Sequence, residues 1–286
     1  MKELYAYIDI SNPMVAWETA IGRICSASVL HNQGVLSLSI RLFSLIRGAI
    51  NTQNISKIKK EFEIELFRRI DFPKKISRLT GIYFFESKED AEVIVGREGW
   101  RSSRFNQKYL SKVHLIKGEV SRFDSEWITS NFASKDTGWI HSYFAGETYG
   151  VNPLTEVIAS GVGEILNQKL KEQAFKYIAR NYPDSLPLLI LSRLAFTNRF
   201  LDAGQVVPFL QKQNDLVSGV HIINIKHIEK NSKFLELLEN GVIKKPIIAN
   251  WDGSWRYPDF SSMSFTTKMP FFLKLFEMSF THMEVK

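Results

Sequence analysis

The chain has 286 residues and a formal net charge of +7, with 37 Lys and Arg against 30 Asp and Glu. Hydrophobic residues at 44%, 21 Phe among them, supply a real core and exclude wholesale disorder, and the length suits one core with substantial additions or two domains. The single cysteine, Cys25, excludes an intramolecular disulfide and a cysteine-based zinc site, and no stretch approaches the roughly 18 consecutive apolar residues of a membrane span.

The positive balance permits attraction to a phosphate-bearing partner such as nucleic acid, an anionic cofactor or an acidic protein. It is equally that of a basic soluble protein, because the charges are spread and no run of five like charges occurs. The six histidines form no HExxH, so metal chemistry is not expected. MKELYAYIDI carries an acid within its apolar run, unlike a leader, and a cytoplasmic protein is the default expectation.

In chain order, ELYAYIDI predicts a short first strand ended by Asn12 and Pro13. Helical spacing then covers about residues 17–70, through VAWETAIGRICSASVL, VLSLSIRLFSLIRGAI and ISKIKKEFEIELFRRI. LTGIYFFES, dense in β-formers, predicts a strand, and KEDAEVIVGREG a helix begun on a serine cap with acids in its first turn. VHLI predicts a strand with Gly118 as a turn, SNFASKDTGWIHSYFAGE a helix with an aromatic face, and PLTEVIASGVGEIL one or two short strands.

Beyond Asn167, LNQKLKEQAFKYIARN and SLPLLILSRLAFTNRFL predict helices, VSGVHIINIKHI a strand, NSKFLELLENG a capped helix and IKKPIIANWDGSWRYPDFSSMSF an aromatic loop region. No internal repeat is found. The order of elements predicts an α+β fold: a core over 1–167, with a helical insertion at about 17–70, and a mostly helical region over 168–286 packed on it.

Chemistry enters at Gly81 to Ser87. Tyr83 and Phe85 share one side of their strand, and the strand ends in Ser87 at a helix start. Such an edge suits a flat ring that stacks on Tyr83 while hydroxyl and backbone groups bond an amide. By pattern alone Tyr83 reads instead as a core strand aromatic.

The string G-I-Y-F-F-E-S-x-x-x-A, Gly81 to Ala91, resembles the central motif of the ADP-ribosyltransferase superfamily in its diphtheria-toxin and poly(ADP-ribose)-polymerase branch. The resemblance spans about residues 76–166 and implies a split mixed β-sheet core with NAD as co-substrate. It implies that Tyr83 stacks on the nicotinamide ring, that Ser87 bonds the carboxamide, that Ser77 and Arg78 lie on the loop approaching the phosphates, and that Gly81 and Tyr7 belong to the cofactor site. The family's later glutamate falls on Glu156 in LTEVIASG, where it would bond the 2′-hydroxyl of the nicotinamide ribose. An aligned carboxylate there stabilises the positive charge that develops as the glycosidic bond breaks. Glu147 and Glu164 are nearby competitors. The family's first-strand histidine or arginine has no counterpart in ELYAYIDI, and His31 in VLHNQG lies in a helical context.

The last motif reads Leu-Thr-Glu where arginine-modifying relatives carry a paired acid, which argues against arginine as acceptor. The positive charge, with Trp100, Arg101 and Arg104 beside Phe105 and Tyr109, suits single-stranded nucleic acid. The same combination recurs at Trp251, Trp255, Arg256 and Tyr257. The expectation is a toxin of a toxin–antitoxin or anti-phage defence system that transfers ADP-ribose to a macromolecule, RNA favoured over DNA or protein, with a possible antitoxin partner. Two alternatives are a non-catalytic basic nucleic-acid-binding or adaptor protein and a hydrolase using Asp124, Glu126, Asp136 or His141, although no spacing among these specifies two-metal chemistry.

Overall fold

A computed structural model describes residues 2–27, 35–96, 105–225 and 256–281, which form a mixture of helix and sheet in an α+β arrangement. The chain runs β1 (Lys2–Tyr7), α1 (Pro13–Ile21), β2 (Arg23–Cys25), β3 (Val35–Ser37), α2 (Ile40–Asn51), α3 (Ser56–Asp71), β4 (Ile82–Phe85) and α4 (Lys88–Gly96). It continues through β5 (Leu110–Asp124), α5 (Glu126–Asn131), α6 (Gly138–Ala145), β6 (Thr155–Ile165), α7 (Gln168–Asn181) and α8 (Leu186–Thr197). β7 (Gln205–Gln213), β8 (Leu216–Asn224), β9 (Phe265–Thr267) and α9 (Pro270–Thr281) follow. None of the described helices is long and apolar enough to cross a membrane.

The first sheet closes on itself. β1 pairs with β4, β4 with β6, β6 with β5, and β5 again with β1, while β2 adds to the edge of β6 beyond β4. Every pairing is antiparallel, so the expected mixed sheet is not what the described strands form. Closure depends on the length of β5, whose residues 110–115 face β1 and whose residues 113–124 face β6, with a register shift between Leu115 and Lys117. Gly118 lies opposite Gly161, both at positive φ (138° and 118°), and a Cβ on either would collide with the facing backbone. Gly118 is thus a bend inside one strand rather than the expected turn.

The second sheet is antiparallel in the order β3-β7-β8-β9. It puts strands where residues 168–286 were expected to be mostly helical, and it draws β3 from the N-terminal half. β2 and β3 both lie inside the stretch read as helical. The reason is local: α1 stops at Gly22, left-handed at φ 111°, whose N–H bonds the Glu18 carbonyl. Ser39 caps α2 by accepting from the Leu42 N–H, so VLS falls outside the helix.

A large apolar cluster joins α1, α2, α7 and α8 to the second sheet, with Trp17 fully buried and its Nε1 donating to the Gly204 carbonyl at 2.8 Å. Burying that indole satisfies its one polar atom. On the first sheet, successive residues alternate faces. Leu4, Ala6, Ile82, Phe84, Val157 and Ala159 pack with Leu170 of α7 on one face. Tyr83, Phe123 and Ile158 pack on the other, under Ile64 of α3 and Trp139, Ile140, Tyr143 and Phe144 of α6. The candidate site lies on this second face.

Candidate active site

β4, β6 and β5 present one row of side chains to this face. Phe85 and Phe123 flank Glu156 in register, and Tyr83 and Ser121 flank Ile158 in the next row. Glu156 is 4% exposed, a position a carboxylate occupies only when paired.

Its partner is Arg78, which is 3% exposed. Nη1 of Arg78 donates to Glu156 Oε1 at 2.7 Å and to the Tyr143 hydroxyl at 2.7 Å, and Tyr143 in turn donates to the same Oε1 at 2.6 Å. The rest of the guanidinium forks onto Glu61 of α3, Nε to Oε2 at 3.0 Å and Nη2 to Oε1 at 3.3 Å. Arg78 therefore bridges two buried carboxylates from different elements, using the planar geometry that only arginine offers. Both hydrogen bonds to Glu156 fall on Oε1, which leaves Oε2 without a partner among the described residues.

Electrostatics follow from this packing. Burial pushes the Glu61 carboxyl up, but Arg78 and Arg41 outweigh it and hold the group below its ordinary range. Burial would lower Arg78, yet Glu61, Tyr143, Tyr83 and Glu156 together keep it firmly protonated. Burial pushes the phenols of Tyr83 and Tyr143 well up despite the nearby arginines. Both tyrosines act as neutral donors, and Arg78 stays charged.

The segment from Ile76 to Gly81 that delivers Arg78 is held at many points. The Ile76 N–H donates to Ser121 Oγ at 3.1 Å, the Leu79 carbonyl accepts from the Ser39 N–H at 2.8 Å, and the Gly81 N–H donates to the Ser77 carbonyl at 2.9 Å. The Tyr83 hydroxyl closes the loop by donating to the Arg78 carbonyl at 3.0 Å. Below it, the buried Glu65 receives a fork from Arg68, a bond from Arg69 at 3.1 Å and the Ser77 hydroxyl at 2.8 Å, while Arg68 Nη1 straps the Pro73 and Lys75 carbonyls. Gly81 is required by crowding rather than by backbone conformation: a Cβ there would run into Ile158 Cγ2 and approach the Ser77 carbonyl oxygen to 2.8 Å.

Tyr83 is half-buried, and Arg41 of α2 lies over its ring, with the guanidinium carbon 4.3 Å from the ring centroid. Arg78 sits 5.1 Å from the same centroid. A cation over an exposed aromatic face is worth about 0.5–1 kcal/mol, so Arg41 is held there weakly.

Ser77, Arg78, Gly81, Tyr83 and Glu156 thus come together. Ser77 and Arg78, expected near phosphates, spend their side chains on Glu65, Glu61, Tyr143 and Glu156. Ser87 and Tyr7 lie elsewhere, at α4: the Ser87 hydroxyl accepts from the Asp90 N–H at 3.0 Å, as a helix cap, and the Tyr7 hydroxyl donates to the Ala91 carbonyl at 2.8 Å. The Tyr7 ring meets Phe85 and Phe105 edge-on. Trp100, Arg101 and Arg104 lie outside the described residues, as do His31, Trp251 and Trp255. Of the competing acids, Glu147 is exposed and Glu164 is half-buried opposite Arg23 and His114 in the sheet. Among the described residues no group of three His, Cys, Asp or Glu is placed to hold a metal ion.

Three members of the cluster, Arg41, Glu61 and Tyr143, escape sequence reasoning because each lies on a helix whose apolar spacing explains it locally. The one available signal is the placement of Glu61 and Glu65 four residues apart, hence on one face of α3. The chain matches no protein-family model and no curated protein sequence.

Proposed function

We propose that this chain is an NAD-dependent mono-ADP-ribosyltransferase, acting as a toxin or anti-phage effector on a macromolecule, with RNA the favoured acceptor. The reading rests on one observation above the rest: Tyr83 from the motif, Arg78 just before it and Glu156, 73 positions beyond Tyr83, share a single site. It takes the closed antiparallel sheet as a variant of the split core that the motif implies.

In this mechanism Tyr83 offers its ring as a shelf for nicotinamide, once Arg41 withdraws from it. Arg78 and Tyr143 fix Glu156 through Oε1, and Oε2 accepts a hydrogen bond from a ribose hydroxyl. The carboxylate then faces the sugar as its glycosidic bond breaks and positive charge grows on carbon and ring oxygen. A fixed negative group in a water-poor site stabilises that charge with little reorganisation. Nicotinamide leaves with the bonding pair, and an acceptor nucleophile forms the new bond and loses its proton. The residues present fit NAD at these two points, the shelf and a carboxylate oxygen that has no partner among the described residues. RNA as acceptor rests on the charge of +7 and on the basic-aromatic stretch at residues 100–109.

The deep burial of Glu156 supports a second reading, in which Arg78, Glu61 and Glu156 are a structural ion network inside a basic nucleic-acid-binding or adaptor protein. The two part on a direct assay. Purified protein incubated with labelled NAD and total RNA, DNA and protein should label RNA and release nicotinamide, and Glu156→Gln should abolish both. Binding of RNA with no consumption of NAD supports the second reading.

A further inference from the structure

Among the described residues, four arginines, Arg41, Arg68, Arg69 and Arg78, meet the carboxylates Glu61, Glu65 and Glu156 in and around the site. Three of the four are tightly held. Arg68, Arg69 and Arg78 lie 2.7–3.1 Å from their carboxylates, with side chains 12%, 28% and 4% exposed. Arg41 differs on both counts: its nearest carboxylate, Glu61, is 3.9 Å away and already forked by Arg78, and its side chain is 44% exposed. Its other contact is the face of Tyr83.

A guanidinium in this state has donors to spare. Its planar fork matches phosphate oxygens, which accept charge-assisted bonds far stronger than an exposed contact to a ring. We infer that Arg41 is the diphosphate-binding group of the site, and that engaging a diphosphate draws it off Tyr83 and uncovers the ring for a flat base. This deepens the transferase reading and rests on it for the identity of the flat base. One residue then couples two halves of a dinucleotide: the anionic half moves the cation whose departure admits the aromatic half. Arg78, though closer to Glu156, is 3% exposed and committed through four hydrogen bonds to buried partners, so it is fixed in place where Arg41 is not.

The test is calorimetric titration of the wild type, Arg41→Ala and Arg41→Lys with NAD, inorganic pyrophosphate and free nicotinamide. Arg41→Ala should weaken NAD and pyrophosphate about tenfold or more, and Arg41→Lys should do so partially, since lysine keeps the charge and loses the fork. Nicotinamide, which carries no phosphate, should bind Arg41→Ala at least as tightly as wild type because the ring is no longer covered. A residue that merely props the fold would weaken all three ligands alike, and that result overturns the assignment. Arg41-dependent binding of pyrophosphate without binding of NAD keeps the anion site and removes the NAD reading. NAD bound equally by wild type and Arg41→Ala keeps that reading and removes Arg41, and a wild type that binds neither NAD nor pyrophosphate removes both.

Discussion

Tyr143 donates its phenolic proton to Glu156 Oε1 at 2.6 Å while its ring stacks on Phe123, 4.6 Å between centroids. One residue of α6 thus carries both the packing of the sheet face and the orientation of its buried carboxylate.

Tyr143→Phe separates these roles. The ring contacts survive and the hydroxyl's bonds to Glu156 and from Arg78 are lost, so thermal unfolding should show a cost of about 1–3 kcal/mol for buried charged groups left short of a partner. NAD turnover should fall about tenfold, with kcat more affected than KM, because a wandering carboxylate harms the transition state more than binding.

Arg78 is the most damaging single site. Replacing it with Met leaves Glu61 and Glu156 buried without their common partner, and breaking such a pair costs about 3–5 kcal/mol. Denaturant titration should show that loss. The triple change Arg78→Met, Glu61→Gln, Glu156→Gln should recover a large part of it, since no uncompensated charge remains. A double-mutant cycle between Arg78 and Glu61 should give strong coupling, as expected for groups in one buried fork.

The pH dependence follows from Glu61. Its folded carboxyl titrates below the ordinary value of 4.5, with burial opposing and Arg78 and Arg41 prevailing. A depressed folded value means that the group's contribution is fully present above pH 4.5 and is lost as pH falls through the folded value. Unfolding free energy measured from pH 7 down to pH 3 should therefore decline steeply below about 4.5 in the wild type. In Glu61→Gln the neutral plateau should be lower and the acid side flatter.

Gly81→Ala tests crowding at the start of β4. The new methyl meets Ile158 Cγ2 and the Ser77 carbonyl, so the variant should lose roughly 1–3 kcal/mol, the range for overpacking. Ile158→Ala should rescue it only in part, because the carbonyl is backbone and stays.

Acceptor choice is tested at Arg101 and Arg104. Replacing both with Ala should weaken RNA binding across all sequences and reduce the salt slope by roughly two counterions, the pattern of phosphate contacts. Loss confined to particular sequences would point to base contacts instead.

Local pattern makes the strands that carry Tyr83 and Glu156, the helix after Ser87 and the helices α3, α7 and α8 legible from sequence. Each has β-formers bounded by turn residues, or clear helical spacing. Two features defeated the pattern. Short apolar runs such as RIC and VLS continue a helical spacing on either side, and only the left-handed Gly22 and the Ser39 cap separate them. QVVPFLQKQ contains a proline, which argues against a doubly paired strand. In the structure, Pro208 sits one residue past the β3 pairing, which spans Phe209 to Gln211, so its missing N–H costs no bond to that neighbour.

The site was legible to the extent that its chemistry is written in consecutive residues. Tyr83 and Glu156 both bond Arg78, whereas Ser87 caps a helix and Tyr7 bonds α4. What was missed, Arg41, Glu61 and Tyr143, comes from three helices whose apolar faces account for their placement. The polar residue riding beside such a face acquires meaning only when the helix is docked on the sheet.

On the transferase reading, Glu156 works on a sugar rather than only balancing Arg78. The most direct measurement is release of nicotinamide from NAD, with transfer of labelled ADP-ribose to RNA, by wild type and by Glu156→Gln at matched folded fraction verified by thermal melting. The wild type should turn over NAD, and the variant should lose roughly 100-fold or more of that activity. Equal release by both proteins, or none by the wild type, would contradict it.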